Sequence, residues 1–402
     1  MNTELTGEGA VAALAGEIAA RLRARNPVVR AFFASEAPRL ALACRAMAER
    51  FLRGGKLYAF GRGPYATDAA HVSVEFVHPV IVGKRALPAL DVSAAPRAWI
   101  DALAGPGDVA IAFGPPEGDP ELLEALAVAR RAGALTLALP GAERDADYAF
   151  AAPSDDPHVH QELFEVLGHT LYESVHVFFE HREHGHDVGA SAFLYPYLGS
   201  AKQDTARILD DVARSIVAKA LDGERLREQI AERQAEAIAR AARAVAERLA
   251  RGGRVLAFGN GGSSTDATDF AIDCVEPPPG MQPVAALSLA CEPAILSAIG
   301  NDVGIELVFS RQIIAQARAA DVAFAFSTSG GSKNVVAALF EARKRGLLTV
   351  ALLGYDGGEI ARKGLADHAI VVDCDYIPRI QEAQGAIYHE LRRGLEFFRD
   401  DA

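Results

Sequence analysis

Short runs of aliphatic and aromatic residues bounded by Gly or Pro punctuate the chain: KLYAFG (56–61), RALPALDV (85–92), VAIAFG (109–114), LTLALP (135–140) and YAFAAP (148–153). Each is apolar on both faces, as a parallel strand buried between two helical layers must be. A second set follows in the same order: RVLAFG (254–259), VAALSL (284–289), VAFAFST (322–328), LTVALLG (348–354) and HAIVVD (368–373). Between the runs lie segments of helical period, such as ELLEALAVARRAG and NVVAALFEARKRG, each closed by a Gly that favours a helix C-terminus. This alternation predicts an α/β fold in which a five-stranded, doubly wound parallel sheet is built twice. Helices precede each set, over 8–53 and about 204–251, with Leu209, Val212 and Ile216 as an apolar stripe in the second. The join, EHREHGHDVGASAFLYPYLGSAKQD, has no sustained period, and the expected domains are 1–199 and 200–402.

The two halves share a strand, turn and helix, but not the same chemistry. LAFGNGGSSTDATDFAID begins at Leu256, and YAFGRGPYATDAAHVSVE begins at Tyr58. In the second half Gly259, Gly261 and Gly262 let the backbone turn sharply, with Asn260 in the turn and Ser263 opening a helix whose free N–H groups point outward. That geometry binds phosphate. A second loop, FSTSGGSKN, brings Ser327, Thr328, Ser329 and Ser332 to the same sheet edge, where ligands of open parallel sheets bind. Neither loop fits a dinucleotide or Walker pattern. The first-half counterparts, FGRGPYATDA and AFGPPEGDP, carry Pro64, Pro115 and Pro116 instead of N–H donors and hydroxyls, leaving Arg62 as a residual attraction for an anion.

The first half keeps a different set. His71 and Glu75 are four apart on one helix face, and Gln161 and His169 are eight apart on the last long helix; the second half has Asp269, Asp273, Gln381 and His389. Two imidazoles, a carboxylate and an amide oxygen suit a borderline ion such as zinc with one position open. Alone, His71 and Glu75 read as a surface pair, and the repeated Gln and His favour the metal reading.

Composition narrows the classes. A chain of 402 residues with formal net charge −12 and pI near 5.4 is not expected to hold nucleic acid by neutralising phosphates. No apolar run reaches the length of a membrane span, and the acidic residues before the first apolar stretch argue against a signal peptide. Scattered Cys44, Cys274, Cys291 and Cys374 suit buried thiols in a reduced cytoplasm. His181, His184 and His186 in the join read as solvated rather than metal-binding.

Taken together, GNGGSSTDATDFAID, SAIGNDVG, FSTSGGSKNVVAAL, LTVALLGYDGG and RIQEAQGAIYHEL in the second half, with ATDAAH and HQELFEVLGH in the first, resemble the sugar isomerase (SIS) fold and within it the phosphoheptose isomerases. The resemblance implies two tandem SIS domains acting on a sugar phosphate in the cytoplasm, through an enediolate. Asn260, Gly261, Gly262, Ser263, Ser327, Thr328, Ser329 and Ser332 would hold phosphate, with Asp302, Asp269 and Gln381 as further substrate-site residues. The family's acid/base positions fall on Glu75 and His169 in one half and on Asp273 and His389 in the other, and its metal positions on His71, Glu75, Gln161 and His169, with zinc as the expected ion. The departures are His158 and Pro378 at the family's Asp before the Gln, and Pro79 and Pro277 at its Arg after the Glu. The rival reading is a non-catalytic SIS module that senses a sugar phosphate or scaffolds a protein. The resemblance also implies a homodimer of tandem chains, four SIS domains in all, with the halves completing each other's sites.

Overall fold

The computed structural model describes residues 7–79, 84–184 and 205–399. The first half runs α1 (Gly7–Leu52), β1 (Leu57–Gly61), α2 (Tyr65–Val77), β2 (Ala89–Asp91), α3 (Pro96–Leu103), β3 (Val109–Phe113), α4 (Pro120–Arg131), β4 (Leu135–Leu139), β5 (Tyr148–Ala149) and α5 (Pro157–His184). The second runs α6 (Thr205–Arg233), α7 (Ala235–Ala250), β6 (Val255–Phe258), α8 (Gly262–Val275), β7 (Ala286–Ser288), α9 (Pro293–Asp302), α10 (Val308–Gln316), β8 (Val322–Ser327), α11 (Lys333–Lys344), β9 (Leu348–Gly354), α12 (Gly358–Arg362), β10 (His368–Val372) and α13 (Ile377–Arg399).

Both sheets have five parallel strands, in the orders β2-β1-β3-β4-β5 and β7-β6-β8-β9-β10. The central strands are buried along their whole length, as their two-sided apolar runs require. The fold class expected from the sequence is therefore observed, with the edge strands β2 and β5 shorter than their apolar runs. The halves repeat their polar braces as well. The Thr136 amide and hydroxyl both donate to Asp147 at 2.9 Å, and Thr349 does the same to Asp367 at 2.9 Å. Arg50 donates to the Pro106 and Gly133 carbonyls, and Arg248 to those of Ala319 and Gly346.

The compact units do not coincide with the expected 1–199 and 200–402. One unit is Pro27–Asp222; the other joins Met1–Asn26 to Gly223–Ala402. Each leading helix is divided. Ala10, Leu14, Ile18 and Leu22 of α1 enter the core of the second sheet, whereas Ile208, Val212 and Ile216 of α6 enter that of the first. The amphipathic stripe of α6 thus marks a buried face, but its partner is the sheet that precedes it in the chain.

Cys44 and Cys274 are buried, and burial pushes both thiols up to about 12, so they are inert. Cys291 is exposed, against the expectation of buried thiols throughout. Among the described residues no helix is long and apolar enough to cross a membrane. His186 lies outside the described residues, as do the side chains of His181 and His184.

Candidate functional site

In the second half the chain leaves β6 through Gly259, whose Cα faces the following helix so closely that a Cβ there would meet the Ser263 carbonyl oxygen at 2.3 Å. Gly61 repeats this contact with Tyr65, at 2.1 Å. Only glycine fits either turn, so the tight strand-to-helix turn is common to both halves. The next position differs. Asn260 exchanges a pair of hydrogen bonds with Asn334 at the start of α11, Nδ2 to Oδ1 at 2.9 Å and 2.8 Å, and so ties one loop to the other.

Ser327 and Ser263 are buried at the base of this cradle, Thr328 and Ser332 half-buried, Ser329 exposed. The Ser327 hydroxyl oxygen accepts from the Gly330 amide at 3.1 Å, and that of Ser329 from Gly331 at 3.3 Å. Each accepts a backbone N–H and keeps its own O–H proton to donate. Neither Gly261 before α8 nor Ser332 before α11 caps its helix with a side chain, so α8 presents its first-turn amides to a ligand and α11 those of Lys333 and Asn334, the Val335 amide donating to Asn334 Oδ1 at 3.0 Å. Asn260, Gly261, Gly262, Ser263, Ser327, Thr328, Ser329 and Ser332 are brought together on the loops that follow β6 and β8, neighbouring strands of one sheet. Asp302 is not among them. It sits at the exposed end of α9 and accepts from Asn301 at 2.8 Å.

The same positions in the first half are closed. Asp119 stands where the second half has Ser332, and its carboxylate caps α4 by accepting from the Glu121 and Leu122 amides at 2.8 Å and 3.3 Å. An anion is already installed at this helix end. Arg62 does not supply a residual attraction for a ligand: it is paired with Asp119 at 3.3 Å and Glu121 at 3.0 Å. Beneath, His160 is buried and donates from Nε2 to the Gly114 carbonyl at 2.9 Å, and burial depresses its pKa to about 4, which keeps it neutral.

The helix pair beside each loop also differs. In the first half Gly168 of α5 lies against Val72 of α2, where a Cβ would approach Val72 Cγ2 to 2.9 Å. This close crossing sets the His71 and His169 rings 5.1 Å apart, both buried, with His71 Nε2 4.0 Å from Glu75 Oε1. The two are therefore not a surface pair. Burial, and then His169, hold the His71 pKa well below its usual value, leaving the neutral imidazole that ligates metal. Burial raises Glu75 to about 7, against the attraction of His169 and with repulsion from Glu173, itself paired with Lys219. The Gln161 amide nitrogen donates to Pro64 O and Asp68 Oδ2, each at 3.3 Å. Glu165, one turn before His169, was not anticipated. Its carboxylate, His71 and His169 offer ligand atoms that all lie within 4.8 Å of one another. By the chemistry of its donors this set fits a divalent ion of the zinc type.

In the second half Tyr388 replaces the glycine of the crossing and Asp269 the histidine. The Tyr388 hydroxyl donates to Asp269 Oδ2 at 2.6 Å. His389 Nε2 faces Asp269 at 3.7 Å and Asp273 at 3.4 Å. Burial raises the Asp273 pKa, opposed by His389, Arg392 and Arg393. Gln381 is buried on the same helix, its Oε1 without a hydrogen-bond partner.

The SIS domain family matches residues 222–354. A phosphoheptose isomerase of Geotalea daltonii is 41% identical over 174 residues, which cover 43% of this chain and 90% of that protein. Another, of Nitratidesulfovibrio vulgaris, is 39% identical over 196 residues, covering 47% of this chain and 91% of that protein. Among solved structures, the C-terminal domain of glucosamine-fructose-6-phosphate aminotransferase from Francisella tularensis superposes with a TM-score of 0.59 at 10% identity, over 92% of this chain and 96% of that one, a likeness of fold alone.

Proposed function

Because the chain belongs to the SIS-domain family and its relatives are phosphoheptose isomerases, we propose that it is an aldose–ketose isomerase of a sugar phosphate, working through an enediolate in the second half. The observation that carries this reading is the open cradle, two helix N-termini without side-chain caps and five hydroxyls on loops tied by the Asn260–Asn334 pair. Phosphate would sit there, with Ser327 and Ser332 donating hydroxyl protons and the amides of α8 and α11 offsetting its charge.

From Ser263, α8 rises about 1.5 Å per residue, which places Asp269 about 9 Å and Asp273 about 15 Å along its axis. An extended sugar phosphate spans roughly the first of these distances. Asp273 then takes the proton from the carbon beside the carbonyl and returns it to the neighbouring carbon. Its raised pKa brings it toward the operating pH, where a general base is most effective. His389, beside both carboxylates, passes protons between the two sugar oxygens.

Two observations favour a second reading: the Tyr388 hydroxyl occupies Asp269, and the base position carries the shorter carboxylate. A module that binds sugar phosphate without turning it over would tolerate both. Incubating the full chain with sedoheptulose 7-phosphate and with five- and six-carbon ketose phosphates in deuterated water separates the two. Deuterium at the carbon beside the carbonyl is the expected result, and tight binding with no exchange for any sugar phosphate would establish the sensor instead.

A further inference from the structure

We infer that Arg392 of α13 is a positioning residue for Asp273, gripping the end of α8 from which the base projects. Arg392 is fully buried. Its Nε donates to the Asp273 carbonyl at 3.0 Å, its Nη1 to Glu396 Oε1 at 2.8 Å and its Nη2 to the Gln282 carbonyl at 2.6 Å. The Gln282 amide donates to the same Glu396 oxygen at 3.0 Å, so α8, α13 and the segment that leads to β7 are tied through one guanidinium. Asp273 lies in the last turn of α8, and Pro277, four residues on, has no N–H with which to satisfy its carbonyl. Arg392 supplies that donor, and its charge also offsets the negative end of the helix.

Packing alone does not ask for a charge here, because a buried guanidinium costs more than an apolar side chain unless its N–H groups are answered. The first half shows the apolar solution. Counted from the Gln and His that both halves share, Tyr172 stands at the place of Arg392 and Glu173 at that of Arg393. Burial disfavours charge on both base positions, and His169 and His389 counter it in each half. Beyond the histidines the halves part: Glu173 repels Glu75, whereas Arg392 and Arg393 attract Asp273. The cations thus accompany the half that keeps the cradle. They also accompany the shorter carboxylate. An aspartate has one rotatable bond fewer than a glutamate with which to correct its aim, so the backbone that carries it must be held, and an error of about 1 Å can cost a hundredfold in rate.

This inference rests on the isomerase reading, with Asp273 as the base, and deepens it. Full-length wild type, Arg392→Lys, Arg392→Met and Arg248→Ala are compared with sedoheptulose 7-phosphate and five- and six-carbon ketose phosphates in deuterated water. Deuterium incorporation, kcat and KM against pH, affinity by calorimetry and Tm are measured. Arg392→Met keeps bulk without charge and should lower kcat about a hundredfold, with KM and affinity within about threefold of wild type. Its acid limb should move to higher pH, because a neighbouring cation favours the ionised carboxylate. Arg392→Lys keeps the charge but not the fork, and should recover part of the rate; it also decides the matter if the Met variant fails to fold by circular dichroism. Arg248→Ala frees two carbonyls at the sheet edge opposite the cradle, and should lower Tm while leaving kcat within about twofold. Wild-type kcat in a folded Arg392 variant, or a loss of kcat with the acid limb unmoved, would make Arg392 a structural brace and overturn the inference. Absence of deuterium in the wild type with every sugar phosphate would remove the isomerase reading and this role together, whereas exchange that survives in the Arg392 variants would remove this role alone.

Discussion

The loops after β1 and β3 and those after β6 and β8 begin from the same strands and the same obligatory glycine, yet one pair is sealed and the other open. Both pairs are braced at equivalent positions, by Arg62 with Glu121 in the first half and by Asn260 with Asn334 in the second. What decides the chemistry is the residue before the helix. Asp119 brings its own carboxylate to the N-terminus of α4, whereas Ser332 leaves that of α11 uncapped. A helix N-terminus attracts an anion from whatever source is nearest, and a capping aspartate is always nearer than a dissolved phosphate. The fold supplies the loops twice; the capping Asp119, together with the prolines that stand in place of N–H donors and hydroxyls, seals them in the first half.

The largest effect expected from breaking this comparison is at Asp273. Asp273→Asn should lower kcat on the order of a thousandfold, the usual worth of a general base, with little change in KM. Because burial raises the Asp273 pKa, the acid limb of the wild-type kcat profile should rise with pH as that carboxyl loses its proton, at a pH above the ordinary aspartate range. The equivalent change in the sealed half, Glu75→Gln, should leave sugar-phosphate binding unaltered. A smaller effect falls on affinity. Ser327→Ala combined with Ser332→Ala removes two hydrogen bonds to a charged group, each worth about 1.5–3 kcal/mol, and should weaken sugar-phosphate binding by roughly a hundredfold or more, with the fold retained by circular dichroism. The smallest compares the braces. Asn334→Ala should raise KM about tenfold, because the brace positions the open loops. Glu121→Ala should change only stability, by under about 1 kcal/mol, as an exposed ion pair does.

How much of this was legible in the sequence depends on whether the signal was local. The strands were legible because two-sided apolar runs have one physical use, and the second-half cradle because glycines and hydroxyls cluster at strand ends. The unit boundaries were not. The stripe of Leu209, Val212 and Ile216 shows that α6 has a buried face, but nothing in it says which sheet covers that face. Arg62 read as a free charge because its partners, Asp119 and Glu121, lie some sixty residues away. Glu165 was hidden among other carboxylates of α5, and only the helix crossing at Gly168 selects it. The same crossing explains why Tyr388 and Asp269 appear together, a large residue offset by a small one, which no spacing rule contains.

The central claim is that the N-cap residue separates a ligand site from a sealed one, and exchanging the two residues tests it most directly. Calorimetric titration with sedoheptulose 7-phosphate should show Ser332→Asp losing affinity by a hundredfold or more, its new carboxylate capping α11 as Asp119 caps α4, while Asp119→Ser binds like wild type. Wild-type affinity in Ser332→Asp, or lost affinity in Asp119→Ser, would contradict the account.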